Sequence, residues 1–190
     1  MAEPRRSAVT PERFAAGLTW DEYFGRIQRN REKFEQNYRA TRLTPRDIAA
    51  FRALTARDGG PAKVLALVED WCPDTYRGLP VMARIAEAAG MDLRIFPRDE
   101  NLDVMSEFLN QGEWQSIPTF VFYTRDHRYI AHWSERPAKA TAELGELRRR
   151  VEGREPEEAR ALWEEFHRGP VWASWRDETV REIRELLENR

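Results

Sequence analysis

The sequence predicts an α/β fold: a central mixed sheet of about four strands flanked by helices, with helical extensions at both ends. Three observations carry this. The apolar run Val64-Leu65-Ala66-Leu67-Val68 is too brief for a helix, breaks at Asp70-Trp71, and hands over to a helical pattern through Leu79, Met82, Ile85, Ala86 and Ala89. Gly90 stops that helix and Leu93 to Phe96 reads as a second strand, so a right-handed crossover makes the two strands parallel. Thr119 to Tyr123 and Arg128 to Trp133 are two further strands, and the polar break Thr124-Arg125-Asp126-His127 is short enough for an antiparallel hairpin. The chain divides into a helical extension over 1–60, the α/β domain over 61–153, and C-terminal helices over 154–190 that pack on it.

The N-terminal extension reads as helix throughout. Thr10-Pro11-Glu12-Arg13 joins a capping residue, a proline at the first helical position and an acid in the first turn, and the helix fades at Gly17. From Thr19, Tyr23 or Phe24, Ile27, Phe34 and Tyr38 recur near helical spacing on a polar background and predict one longer amphipathic helix. Thr44-Pro45-Arg46-Asp47 starts another, with Ile48, Phe51 and Leu54 as its stripe, and Asp58-Gly59-Gly60-Pro61 ends it. These stripes either cover the neighbouring sheet or form an arm that docks a partner.

Within the domain, Asp99-Glu100-Asn101 caps a predicted helix through Leu102, Met105, Phe108 and Leu109 to Gly112. Pro137 precedes a helix carrying Ala140, Leu144, Leu147 and Val151. Glu155-Pro156-Glu157-Glu158 opens a helix with acids at the positive end of its dipole, Gly169-Pro170 interrupts, and Trp172, Trp175, Ile183, Leu186 and Leu187 mark a last amphipathic helix. Two readings of the tryptophan stripe stand: packing on the rest of the chain, or association with a partner or a second copy in a homodimer.

Composition narrows the classes. A net charge of −2 with 34% charged residues gives no excess of positive charge to attract nucleic acid or an anionic membrane. No apolar run approaches the length that spans a bilayer. One cysteine forbids an intramolecular disulfide; with no secretory leader expected in Met1 to Thr10, a reducing cytoplasm is the expected compartment. His127, His132 and His167 are not at metal-ligand spacing, so no metal is expected, and no glycine-rich phosphate loop is present. A Cys72–His132 hydrolase finds no oxyanion site in this reading.

The chemistry centres on Cys72. It falls at the start of the helix after the first strand, with Pro73 at the first helical position, so its sulfur meets unpaired N–H groups and the positive end of the macrodipole, which favour the thiolate. Glu69, Asp70 and Asp74 oppose ionisation and Arg77 assists it.

At these residues the sequence resembles the thioredoxin superfamily. Trp71-Cys72 matches the start of the Trp-Cys-x-x-Cys motif, Pro80 falls where the family's helix is kinked, and Ser116-Ile117-Pro118-Thr119 matches the family's cis-proline loop. The resemblance covers Lys63 to Val151 and implies a thioredoxin-like fold. Asp74 is similar to that of bacterial thioredoxin-like proteins with helical extensions that carry Trp-Cys-x-Asp. The chain departs from the pattern at Thr75, where the family has its resolving cysteine, and in Val64 to Val68, where it has no buried acid; Ala66 is apolar. The resemblance therefore implies a monothiol oxidoreductase acting on peptide or glutathione disulfides, with Cys72 and Thr75 as catalytic residues. Thr75 would donate a hydrogen bond to the thiolate from the same helix face. Trp71, Pro73, Asp74, Ile117 and Pro118 are then expected to meet the substrate. No cofactor is required beyond glutathione or another small thiol to release the mixed disulfide. The alternative is a redox-inactive interaction module in which the Ile117-Pro118 groove pairs with an extended peptide.

Overall fold

The computed structural model describes residues 7–190. The expectation of no leader in Met1 to Thr10 falls, for residues 1–6, outside the described residues. In order, the chain forms α1 (Pro11–Ala15), α2 (Trp20–Arg26), α3 (Arg31–Ala40), α4 (Pro45–Ala56), β1 (Lys63–Val68), α5 (Pro73–Ala89), β2 (Asp92–Pro97), α6 (Leu102–Met105), β3 (Thr119–Tyr123), β4 (Tyr129–Ser134), α7 (Ala138–Val151), α8 (Pro156–Arg168) and α9 (Pro170–Glu188). Among the described residues the strands make one four-stranded sheet in the order β2-β1-β3-β4. β1 and β2 are parallel, with Ala66 opposite Ile95, and the other two pairings are antiparallel.

Alternation along the strands builds two apolar layers. Val64, Ala66 and Val68 of β1 join Phe120 and Phe122 of β3 on the face that carries α5, whereas Leu65, Leu67, Val121 and Tyr123 point to the other face. The first layer continues outward. Phe34 of α3 and Phe51 of α4 are fully buried in it, and each such ring removed from water stabilises the fold by about 2 kcal/mol. Trp172, Trp175, Ile183 and Leu187 of α9 close it from the other end of the chain. The second layer is thinner: Val9, Phe14, Val104, Met105 and Phe108 cover it together with Cys72 and Ile117.

Local start signals are met where the sequence carries them. Thr19 and Thr44 make reciprocal capping boxes with Glu22 and Asp47, and Gly90 ends α5 in the left-handed region at φ 72°. Three expectations change. The single helix from Thr19 is two helices, interrupted at Ile27 to Asn30, where Asn30 has φ 58°. The Asp70 carboxylate accepts the Gln28 and Arg29 N–H groups at 2.9 and 3.0 Å, and the Asn30 side chain donates to the Asp70 carbonyl. The predicted helix to Gly112 has its α-helical turns only over Leu102–Met105. It gives way to i+3 turns that still bury Phe108, and Gln111 and Gly112 turn left-handed at φ 55° and 75°. The N-terminal stripes on α3 and α4 cover α5 rather than the sheet, which leaves α5 enclosed between helices and strands. No helix of the described residues is long and apolar enough to cross a membrane.

Candidate functional site

Cys72 is the N-cap residue of α5, with extended backbone dihedrals, and Pro73 occupies the first helical position. Its carbonyl accepts the Thr75 and Tyr76 N–H groups, both at 3.1 Å. The loop before β3 crosses beside it: the Ile117–Pro118 peptide bond is cis, and the Cys72 thiol donates to the Ile117 carbonyl with Sγ 3.6 Å from the oxygen. Gly78, one turn into α5, makes this approach possible. A Cβ there would stand 3.2 Å from Pro118 Cγ, tighter than ordinary contact.

The sulfur is not an open nucleophile. Cys72 is 8% exposed and belongs to the second apolar layer. Burial pushes the thiol above its ordinary value; the Thr75 N–H and hydroxyl pull the other way, and the Asp74 charge adds to the rise. The expectation that the helix terminus favours the thiolate is thus outweighed by desolvation. Thr75 is fully buried and its Oγ1 has no hydrogen-bond partner.

Asp74, expected to face a substrate, is occupied on both oxygens. Arg77 Nη2 donates to Oδ1 at 2.8 Å and Arg136 Nε to Oδ2 at 2.8 Å. Arg77 is wholly buried, gives a second bond to Thr179 Oγ1 at 3.1 Å, and lies 5.1 and 5.4 Å from the ring centres of Trp172 and Trp175. Burial works against its charge and Asp74 sustains it. Arg77 therefore serves Asp74 and α9, where the sequence placed it beside the thiol. This cluster, which joins the first turn of α5 to α9, was not anticipated; the signal was an arginine inside the apolar pattern between Tyr76 and Leu79.

Of the other expected site residues, Ile117 and Pro118 are buried against Cys72, and Trp71 is 44% exposed with the Arg98 guanidinium 5.8 Å from its ring centre. Arg98 also reaches the Gln115 carbonyl at 3.5 Å, so Trp71 and the loop leading to Ile117 share one surface. Among the described residues no group of three or more His, Cys, Asp or Glu side chains is placed to hold a metal ion. His132 pairs with the Tyr129 hydroxyl, on the β4 strand.

A lone thiol at the start of the helix that leaves the central strand, with a proline loop laid against it from the antiparallel half of the sheet, defines a thioredoxin-fold protein. A family model described as thioredoxin matches residues 17–149, and the chain belongs to that family. The structure is similar to a protein of unknown function from Pseudomonas aeruginosa, with a TM-score of 0.65 at 14% identity over 93% of this chain and 95% of that one. It is also similar to an HIV epitope-scaffold, with a TM-score of 0.66 at 14% identity over 97% and 99%. At that identity the likeness is one of fold. A search of curated proteins finds no match.

Proposed function

We propose that this protein is a thioredoxin-fold docking module rather than a dithiol reductase: an extended segment of a partner protein pairs with the Ile117 backbone beside Pro118, and Trp71 supplies its apolar platform. The observation that carries this is the state of the Ile117 carbonyl. Its partner is the S–H of a buried Cys72 at 3.6 Å, a weak donor that a peptide N–H replaces with a stronger bond. The exposed Trp71 ring adjoins that loop.

A second reading is favoured by the helix-start position of Cys72 and the pull of Thr75 on its thiolate. In it the Cys72 thiolate attacks a substrate disulfide, forms a mixed disulfide and releases one substrate thiolate; glutathione or a similar thiol then attacks the mixed disulfide and frees Cys72. Alkylation separates the two. For the docking module, iodoacetamide modifies Cys72 at neutral pH more slowly than it modifies glutathione, and insulin reduction by an external dithiol is not accelerated. Peptides selected from a random library then lose about tenfold in affinity on Trp71→Ala and none on Cys72→Ala. Fast alkylation with an acid-shifted titration, or a stable Cys72–glutathione disulfide from oxidised glutathione, supports monothiol exchange instead.

A further inference from the structure

We propose that the cavity between α2 and the β1–α5 turn is a binding site for a guanidinium group, supplied by a free guanidino compound or by an arginine side chain of a polypeptide. It has a volume of about 260 Å³, and Tyr23, Arg26, Glu69, Asp70 and Glu100 line it beside apolar Leu18 and Pro97. The site stands independently of peptide docking at Ile117.

Its charges are unbalanced. Three carboxylates line the cavity against one arginine, and Arg26 reaches Glu100 only at 3.8 Å with both side chains more than half exposed, a rim contact of little strength. Glu69 accepts the Asp99 N–H at 2.8 Å and Asp70 accepts those of Gln28 and Arg29, but among the described residues neither forms an ion pair. Burial raises Glu69 above the ordinary carboxylate value and the Asp99 and Asp70 charges add to the rise, while the Asp99 N–H and the Arg98 charge, which makes no ion pair with it, offset only part.

A second feature points to a ligand. Tyr23 is 5% exposed, lines the same cavity, and its hydroxyl is buried without a hydrogen-bond partner. Burial holds the proton on that hydroxyl, and the Asp70 and Glu69 charges add to the effect. A buried polar group in this state is stabilised by any ligand that supplies its partner. A guanidinium does so while serving both carboxylates: its planar fork offers several N–H donors in fixed directions, and its weak hydration suits a cavity with apolar walls. A compact, strongly hydrated ammonium fits less well.

The test is calorimetric titration of the full chain with N-acetyl-arginine amide, its lysine and glutamine counterparts, and an extended peptide carrying one arginine. The arginine compound is expected to bind saturably, the lysine compound more weakly and the glutamine compound not at all. Glu69→Gln and Tyr23→Phe should each weaken binding by about tenfold, and Arg26→Gln, which removes the competing cation, should tighten it. Tighter binding of the peptide assigns the guanidinium to a polypeptide, and equal affinity assigns it to a free compound. Absence of saturable binding, equal binding of the glutamine compound, or affinities unchanged in these variants overturns the proposal. Arg26→Gln alters an exposed residue, so it remains a usable arm if a buried variant fails to fold.

Discussion

At Cys72 the helix terminus and the surrounding core pull the thiol in opposite directions, and the core wins. The macrodipole contributes up to about 2 kcal/mol at a buried terminus of this kind, less than the cost of ionising a thiol packed among aliphatic and aromatic groups. Thr75 is the residue on which the balance rests. Its unpartnered Oγ1 weighs against the folded state, whereas the thiolate would gain from it. Thr75→Val keeps the shape and removes that hydroxyl. It should stabilise the fold by about 1 kcal/mol, a rise in Tm of about 3 °C, and slow Cys72 alkylation further. A loss of stability with unchanged alkylation would show that the hydroxyl has a structural partner and no dealings with the sulfur.

Elements that carry their own end signals were legible in the sequence, and those ended by a distant residue were not. Thr10-Pro11, Thr44 with Asp47, Pro73 and Gly90 each set a boundary locally, the threonines and Gly90 through bonds to near neighbours and Pro73 through its fixed φ, which is why those boundaries hold. The break between α2 and α3 is made by Asp70, some forty positions away, and no local pattern announces it. The thiol, the proline loop and Trp71 were legible because they sit in a motif. The Asp74–Arg77–Arg136 cluster was not, because Arg136 and Thr179 reach it from the β4–α7 connection and from α9. Gly17, read in the sequence as the end of the first helix, also makes a distant contact that no local pattern announces. Leu18 and Ile95 exchange backbone hydrogen bonds of 2.9 and 2.7 Å, which fastens the N-terminal segment to the free edge of β2. A Cβ on Gly17 would lie 2.3 Å from the Phe96 ring and 2.9 Å from Arg94 Cβ. Gly17→Ala should cost about 1–3 kcal/mol and raise amide exchange at Leu18 and Ile95, read by hydrogen exchange. Unchanged protection there would mean that the ring moves aside without strain.

One apolar cluster on the α5 face of the sheet runs from Tyr23 to Leu187, so the N-terminal and C-terminal helices are fastened through α5 into the same cooperative unit. His167 sits at that junction. Its ring lies 4.5 Å from Trp172 and 6.5 Å from Tyr76, centre to centre, with Lys33 of α3 among its neighbours. Burial and Lys33 hold it below the ordinary histidine value and Asp74 offsets part of this; burial and Arg190 act likewise on His132. Both rings thus bind a proton less readily in the fold than in the unfolded chain, where they titrate near about pH 6.5. In the window between the folded and unfolded values the unfolded chain binds more protons, so stability is complete above that pH and falls as the medium is acidified through it. Glu69 acts with the opposite sign, because burial raises its value and protonation relieves the folded state, but it does so nearer the carboxylate range. Urea unfolding followed from pH 7.5 to about 5.5 should therefore show one transition whose midpoint declines. His167→Gln should flatten that decline, with His132→Gln removing a further part. A midpoint independent of pH in the parent chain, or a decline untouched by both substitutions, would place these imidazoles in contact with water and remove His167 from the junction that unites the helices with the sheet.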